Sequence, residues 1–216
     1  MAIPRPRIAG VLLAAGASSR FGRPKPLLEW GSKNFVQWHA ISFATAGISP
    51  LVITVRSELG AKWREDWAPG ARLVINDETG KGQFHSLRLA MTALSDPFDG
   101  YLLQLVDSPF TLVSTYEQIL ESACANPSRI FVPEHEGRAG HPIFLPGWMR
   151  EVILTDENLN PPEGLKTLLQ IHSESLEKVK VDDAGICEDV DTKDDYQAAL
   201  ERYAQRLQER ERMIGL

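Results

Sequence analysis

Cysteine is nearly missing: Cys124 and Cys187 are the two cysteines among 216 residues, far apart and in no CxxC spacing. That excludes a disulfide framework or a cysteine-ligated zinc site and leaves both as small, half-buried residues of a reduced, cytoplasmic protein. His135 and His141 have no familiar zinc spacing either. No apolar run approaches the roughly 20 residues that a bilayer-spanning helix requires. Positive charge is in deficit, with 23 Lys+Arg against 29 Asp+Glu and a net charge of -6, which argues against a sequence-independent nucleic-acid binder. Any phosphate chemistry must therefore be local. Neither GxxxxGK[ST] nor GxGxxG occurs, so Walker-type phosphate loops and dinucleotide-binding folds drop out. Internal repeats, low-complexity linkers and domain boundaries are also lacking, which leaves one domain over residues 1–216.

What is there is an alternation of apolar runs with helix-period segments, the pattern of an α/β protein. "IAGVLLA" from Ile8, "PLVITV" from Pro50, "ARLVIN" from Ala71 and "GYLLQLV" from Gly100 read as buried strands. Helices are predicted from Asn34, whose side chain caps the first, near Leu59 to Trp67, from Phe84 to Leu94 and from Leu112 to Ala125. The expected fold is a three-layer, Rossmann-like, mostly parallel sheet with a core over about 8–196. "RIFVP" and "EHEGRAGHPIFLP" read as short strands around a hairpin or lid, and the charged stretch over about 197–213 as a closing surface helix. A secretory reading of the N-terminus, Arg5 and Arg7 ahead of "IAGVLLAAGA", stands as the minor alternative to a first strand. Trp38 sits on a helical apolar stripe and Trp63 and Trp67 lie four apart, which favours packing over base stacking.

In such a sheet ligands bind beyond the carboxyl ends of the strands. The first such loop lies in "LLAAGASSRFGRPKPLL", residues 12–28, where glycines permit close backbone approach and Arg20, Arg23 and Lys25 offer charge to phosphate oxygens. Charge and glycine content alone leave a phosphate cradle and a polar turn with surface arginines equally open. Asp107 ends an apolar strand, a position suited to a metal ligand or to a turn ahead of Pro109. Asp189 and Asp191 alternate around Val190, and Thr192 is placed to cap a following helix. In "GKGQFHSLRLA" a helix N-terminus, Gly82 and Ser86 are placed to touch a nucleotide, with His85 either a contact or a structural hydrogen bond.

"LAAGASSRFGRPK" closely resembles the LAAG-x-S-x-R-M-G-x-x-K loop of nucleotidyltransferases related to molybdenum-cofactor cytidylyltransferase, with Phe21 where Met is usual. The resemblance continues, in the family's order, through "GKGQFHSLRLA" at Gly80, "LVDSP" at Leu105, "GRAGHPIF" at Gly137 and "EDVDTKDDY" at Glu188. It implies a fold of the nucleotide-diphospho-sugar transferase type. It further implies nucleotide binding by Leu13, Ala14, Ala15, Gly16, Ser18, Arg20, Lys25, Gly82 and Ser86, and catalytic roles for Arg20, Lys25 and Asp107. Mg2+ would be held by Asp107 and Asp191, and the acceptor by Gly140, His141, Pro142 and Lys166. The implied reaction joins CMP from CTP to a phosphorylated small molecule, molybdopterin carrying its metal, with release of pyrophosphate and with a molybdoenzyme or insertion chaperone as protein partner. Two departures bear on specificity. Gln83, Phe84, His85 and Ser86 stand where relatives have Met-Ser-Ser-Ser, and Lys166 where they have arginine, which keeps the charge and loses bidentate geometry. GTP or another nucleotide as donor, a different phosphorylated acceptor, and a carrier without turnover remain the alternatives.

Overall fold

The computed structural model describes residues 6–16, 21, 23–155 and 164–215. Its strands are β1 (Ile8–Leu13), β2 (Glu29–Trp30), β3 (Lys33–Asn34), β4 (Leu51–Val55), β5 (Arg72–Ile75), β6 (Gly100–Leu105), β7 (Ile130–His135), β8 (Arg138–Ala139), β9 (Ile143–Pro146) and β10 (Leu176–Lys180). The helices are α1 (Phe35–Thr45), α2 (Ser57–Gly60), α3 (Gly82–Ala93), α4 (Val113–Ala125), α5 (Met149–Thr155), α6 (Leu165–Ile171), α7 (Lys193–Arg202) and α8 (Ala204–Met213). The main sheet runs β10-β7-β9-β6-β1-β4-β5, with β8 paired to β7. Only β9 runs antiparallel to its neighbours β6 and β7 on that path, while β6, β1, β4 and β5 are mutually parallel.

Every residue of β1 and β4 is buried, because helices cover both sheet faces and leave no side for polar alternation. Alternate residues of β1 enter separate cores. Leu12 packs with Phe35, Trp38 and Phe43 of α1 and Tyr116 and Ile119 of α4. Val11 and Leu13 pack with Phe84, Leu87 and Met91 of α3 and Ile153 of α5. The three layers predicted are thus present, and Trp30 and Trp38 lie within the first core, where the Trp38 indole donates to the Trp30 carbonyl at 2.7 Å.

Asn34 caps α1 as expected, accepting from Gln37 N at 2.9 Å while the Gln37 side chain accepts from Asn34 N at 3.0 Å. Two predicted helices are divided. The one over 59–67 is the short α2 and a separate 3-10 turn, Glu65–Trp67. Glycine is a poor helix former, and Gly60 ends α2 where an added Cβ would lie 2.7 Å from Ile75. Trp63 and Trp67 still meet edge to face at 5.5 Å. The closing helix is two helices that break at Tyr203, whose ring stacks on Phe110 at 4.6 Å and 14°. β10 escaped the sequence reading, although its half-buried Leu176 and Val179 flank exposed charges in the manner of an edge strand.

His39, on α1, is buried, and its Nε2 lies 3.3 Å from the Val106 carbonyl. Burial pushes its pKa down to about 3, against the raising effect of that hydrogen bond and with help from the Arg210 charge. A histidine with a folded pKa below its unfolded value near 6.5 adds full stability above pH 6.5, and that contribution is lost as pH falls toward the folded value. At pH 4.5 the loss at this site is about 3 kcal/mol. Urea unfolding of His39→Gln, which keeps a donor for Val106, should show a shallower fall in stability between pH 7 and pH 4.5 than the parent; equal slopes would exclude His39 as the source.

Candidate active site

The strand order changes direction beside β1, since β4 and β5 extend the sheet on one side and β6 on the other. A crevice opens at the carboxyl ends of two such neighbours, and here it receives three charged side chains from distant parts of the chain.

Lys25 opens a 3-10 turn, Lys25–Leu27, between Pro24 and the buried Pro26. Its side chain is 14% exposed, and Nζ lies 2.6 Å from Asp191 Oδ1 and 3.3 Å from Asp107 Oδ2. Burial opposes its charge, but the hydrogen bond to Asp191 and the two carboxylate charges prevail and raise its pKa. Asp107 follows β6, and its backbone is pinned on both sides: Val106 N donates to Leu13 O at 3.1 Å, and Val190 N to Asp107 O at 2.9 Å. Burial raises the pKa of Asp107 against the opposing charge of Lys25, and the Asp189 carboxylate adds to the rise. Among the described residues its buried Oδ1 has no hydrogen-bond partner.

Asp191 is half exposed and precedes Thr192, which caps α7 by accepting from Asp195 N at 3.1 Å. The Asp195 carboxylate in turn accepts from Thr192 N at 2.7 Å and Asp191 N at 3.2 Å. This capping box makes Asp195 the orienter of Asp191. Asp189 accepts from Ser108 Oγ at 2.6 Å, and its charge acts on Asp107 and His141.

Beside this triad lies a pocket of about 490 Å³. Leu13, Leu103, Leu105 and Ile143 line it from the sheet, and Gly82, Gln83, Phe84 and Leu87 from α3. Lys81, His141, Gly164, Lys166 and Leu169 are also part of its lining. Gly82 has φ +76, the conformation that lets α3 begin at the pocket edge. A Cβ on Gly140 would come within 2.0 Å of the Ile186 carbonyl oxygen, and this close packing seats the cis His141–Pro142 peptide at the pocket wall. Burial pushes the His141 pKa down to about 4 despite the nearby Asp189 charge, so the ring is a neutral donor and acceptor at physiological pH.

The structure thus brings together Lys25, Asp107 and Asp191, and in the adjoining pocket Leu13, Gly82, His141 and Lys166. Ala14 and Ala15 are buried behind β1, with Ala14 N donating to Thr54 O at 3.0 Å, and Gly16 is exposed at the start of the loop. Ser86 is buried outside the pocket lining and accepts from Asn76 Nδ2 at 2.7 Å. His85 pairs with Glu78 at 3.1 Å and likewise lies off the pocket lining. Gly140 and Pro142 are not among the residues that line the pocket, and Gly140 packs against the Ile186 backbone. Ser18 and Arg20 lie outside the described residues. The sequence reading missed Asp195, although its place three residues after Thr192 marks a capping box, and it missed the leucine-rich wall of the pocket.

Residues 10–187 match the family of MobA-like NTP transferase domains. The chain belongs to this family. As a MobA-like NTP transferase it is a nucleotidyltransferase enzyme. Among curated proteins it is similar to the molybdenum cofactor cytidylyltransferase of Escherichia coli K12, 27% identical over 202 residues that cover 90% of this chain and 96% of that one. It is also similar to the nicotine blue oxidoreductase of Paenarthrobacter nicotinovorans, 28% identical over 195 residues, 87% of this chain and 93% of that one. Among solved structures Rv0371c of Mycobacterium tuberculosis H37Rv superposes with a TM-score of 0.78 at 27% identity, covering 92% of this chain and all of that chain. A manganese complex of Rv0371c matches with a TM-score of 0.73 at 25% identity, covering 90% and 98%.

The donor set of this MobA-like domain fits a hard divalent cation: two carboxylates converge, one carries a buried oxygen with no partner among the described residues, and a cation, the Lys25 ammonium, already lies between them. No group of three or more His, Cys, Asp or Glu poised for a metal occurs among the described residues, so phosphate oxygens and water would complete the shell. Among the described residues no helix is long and apolar enough to cross a membrane.

Proposed function

We propose that this enzyme transfers CMP from CTP to a phosphorylated acceptor, with molybdopterin cofactor as the acceptor and Mg2+ as the metal. The observation that carries this reading is the convergence of Lys25, Asp107 and Asp191 at the β1–β6 edge, next to a pocket large enough for a second substrate. The acceptor's terminal phosphate oxygen attacks the α-phosphorus in line, the bond from that phosphorus to the bridging oxygen breaks, and pyrophosphate leaves. No protein nucleophile is needed. Asp107 and Asp191 would hold the metal, which supplies neutralisation of the charge on the α-phosphate and the departing pyrophosphate. The Lys25 ammonium would counter the charge that develops on the phosphate oxygens in the transition state. Neutral His141 and Lys166 orient the acceptor, and the apolar wall of Leu103, Leu105, Ile143 and Leu169 accepts a flat, weakly hydrated ring system.

The cytidylyl assignment is supported by similarity over nearly the whole length to the E. coli cytidylyltransferase and by "LAAG" at the first loop. Magnesium is supported by the oxygen-only donor set and the manganese complex of the mycobacterial relative. The similarity to nicotine blue oxidoreductase and the apolar wall favour a second reading, redox chemistry on a planar heterocycle. That reading gives Lys25, Asp107 and Asp191 no part in electron transfer.

Pyrophosphate release from CTP, GTP, ATP and UTP, each with Mg2+ and with or without molybdopterin cofactor, tests the proposal. Acceptor-dependent release with CTP is expected. Release with a different nucleotide would keep the reaction and move the base assignment to Gln83–Ser86. Nucleotide binding without release from any of the four would favour a carrier or the redox reading.

A further inference from the structure

The family match ends at residue 187, so α7 and α8 lie beyond it, yet α8 reaches the segment that follows Asp107. Arg210 is 5% exposed and pairs with no carboxylate among the described residues. Its Nη1 donates to the Pro109 carbonyl at 3.0 Å, and its Nη2 to the Trp38 carbonyl at 3.2 Å and to Ser42 Oγ at 2.5 Å. The guanidinium lies over the Trp38 ring at 4.7 Å and near that of Trp30 at 5.5 Å. One turn earlier Arg206 donates to the next carbonyl, that of Phe110, and to the buried Asp183 at 2.8 Å. The Phe110 ring is held between Tyr203 at 4.6 Å and Trp30 at 4.9 Å. Burying a charge without an ionic partner is costly, and packing alone would be served as well by an uncharged side chain. What a guanidinium adds is a rigid fork able to fix separate carbonyls at set directions. At its other end the same helical pair is capped by Thr192, the residue after Asp191, through the Thr192–Asp195 capping box.

We propose that α8 is a positioning element for the metal site: Arg210 and Arg206 fix the Ser108–Phe110 backbone and so set the separation of Asp107 from Asp191, and with it the affinity for a divalent cation. This rests on the reading of those two aspartates as metal ligands, and is independent of which nucleotide is the donor.

The test is Mn2+ binding by the full chain, followed by the electron paramagnetic resonance signal of the free ion, with Mn2+ alone as probe. Parent protein and Asp107→Asn are compared first, and binding that the variant loses establishes the carboxylate site. Arg210→Met should then weaken Mn2+ binding about tenfold and Arg206→Met severalfold, with Arg210→Lys between Arg210→Met and the parent. Ile153→Ala, in the opposite core, lowers the unfolding temperature without touching this segment and should leave Mn2+ affinity within twofold. If Arg210→Met does not fold, Arg206→Met decides, because Asp183 keeps its bonds from Leu112 N, Thr115 Oγ1 and Gly185 N. Parent-like affinity in both arginine variants, or an equal loss in Ile153→Ala, would overturn the positioning role while leaving the metal reading intact. Absence of Asp107-dependent Mn2+ binding in the parent would overturn both.

Discussion

Replacing Asp107 with asparagine should lower kcat/KM for pyrophosphate release at least a thousandfold while leaving the protein as stable as before or more so. The first half follows from the loss of a carboxylate that holds the metal; about 4 kcal/mol of transition-state stabilisation is the equivalent of that drop. The second half follows from burial. The carboxylate is mostly buried, its Oδ1 has no donor among the described residues, and burial raises its pKa despite Lys25. A buried charge so poorly compensated is a cost to the fold. An amide of the same shape removes that cost, and Lys25 keeps its shorter contact, 2.6 Å, with Asp191. Activity lost with the unfolding temperature held or raised is the signature of a residue kept for chemistry at the expense of stability. A variant that loses stability in step with activity would instead mark Asp107 as a structural turn residue, and full activity would remove it from the metal site.

Lys25→Met should move two measurements in opposite directions. In the resting site the ammonium occupies the space between the carboxylates and competes with a metal for both. Its removal should tighten Mn2+ binding in the absence of nucleotide. Turnover should nevertheless fall by roughly a hundredfold to a thousandfold, the loss typical of removing one charge-stabilising donor. Without metal the variant should also melt at lower temperature, since Asp107 loses its counter-charge in a buried position, and Mn2+ should restore most of that loss. An ordinary structural ion pair would give the fall in stability with no loss of turnover.

The layered α/β architecture was legible because its cause is local. Strands buried on both faces, such as β1 and β4, must be continuous apolar runs, and helices between them must carry stripes at helical spacing. Asn34 and Thr192 could be placed as caps from the sequence because a cap bonds to the backbone two or three residues away. Lys25, Asp107 and Asp191 stood out for a different reason: each lies in a motif whose order along the chain resembles that of a family. Where elements broke, the determinant was distant. Gly60 ends α2 against Ile75, and Tyr203 interrupts the last helix to stack on Phe110. Arg206 and Arg210 look from sequence like the solvated face of a charged helix, and nothing within ten residues of them shows that their partners are the carbonyls of Pro109 and Phe110.

The chain order of strands and helices, the charged residues at the first loop and the two candidate metal aspartates were determined by the sequence itself, through hydrophobic periodicity and motif. The tertiary structure alone decided that Lys25 stands between Asp107 and Asp191, that one oxygen of Asp107 has no partner among the described residues, and that Gly82, His141 and Lys166 wall a single pocket. Hydrophobic patterning reports which side of an element faces the core; it carries no record of which distant backbone carbonyl or carboxylate will lie within 3 Å, because that distance arises only when the sheet and its helices pack together.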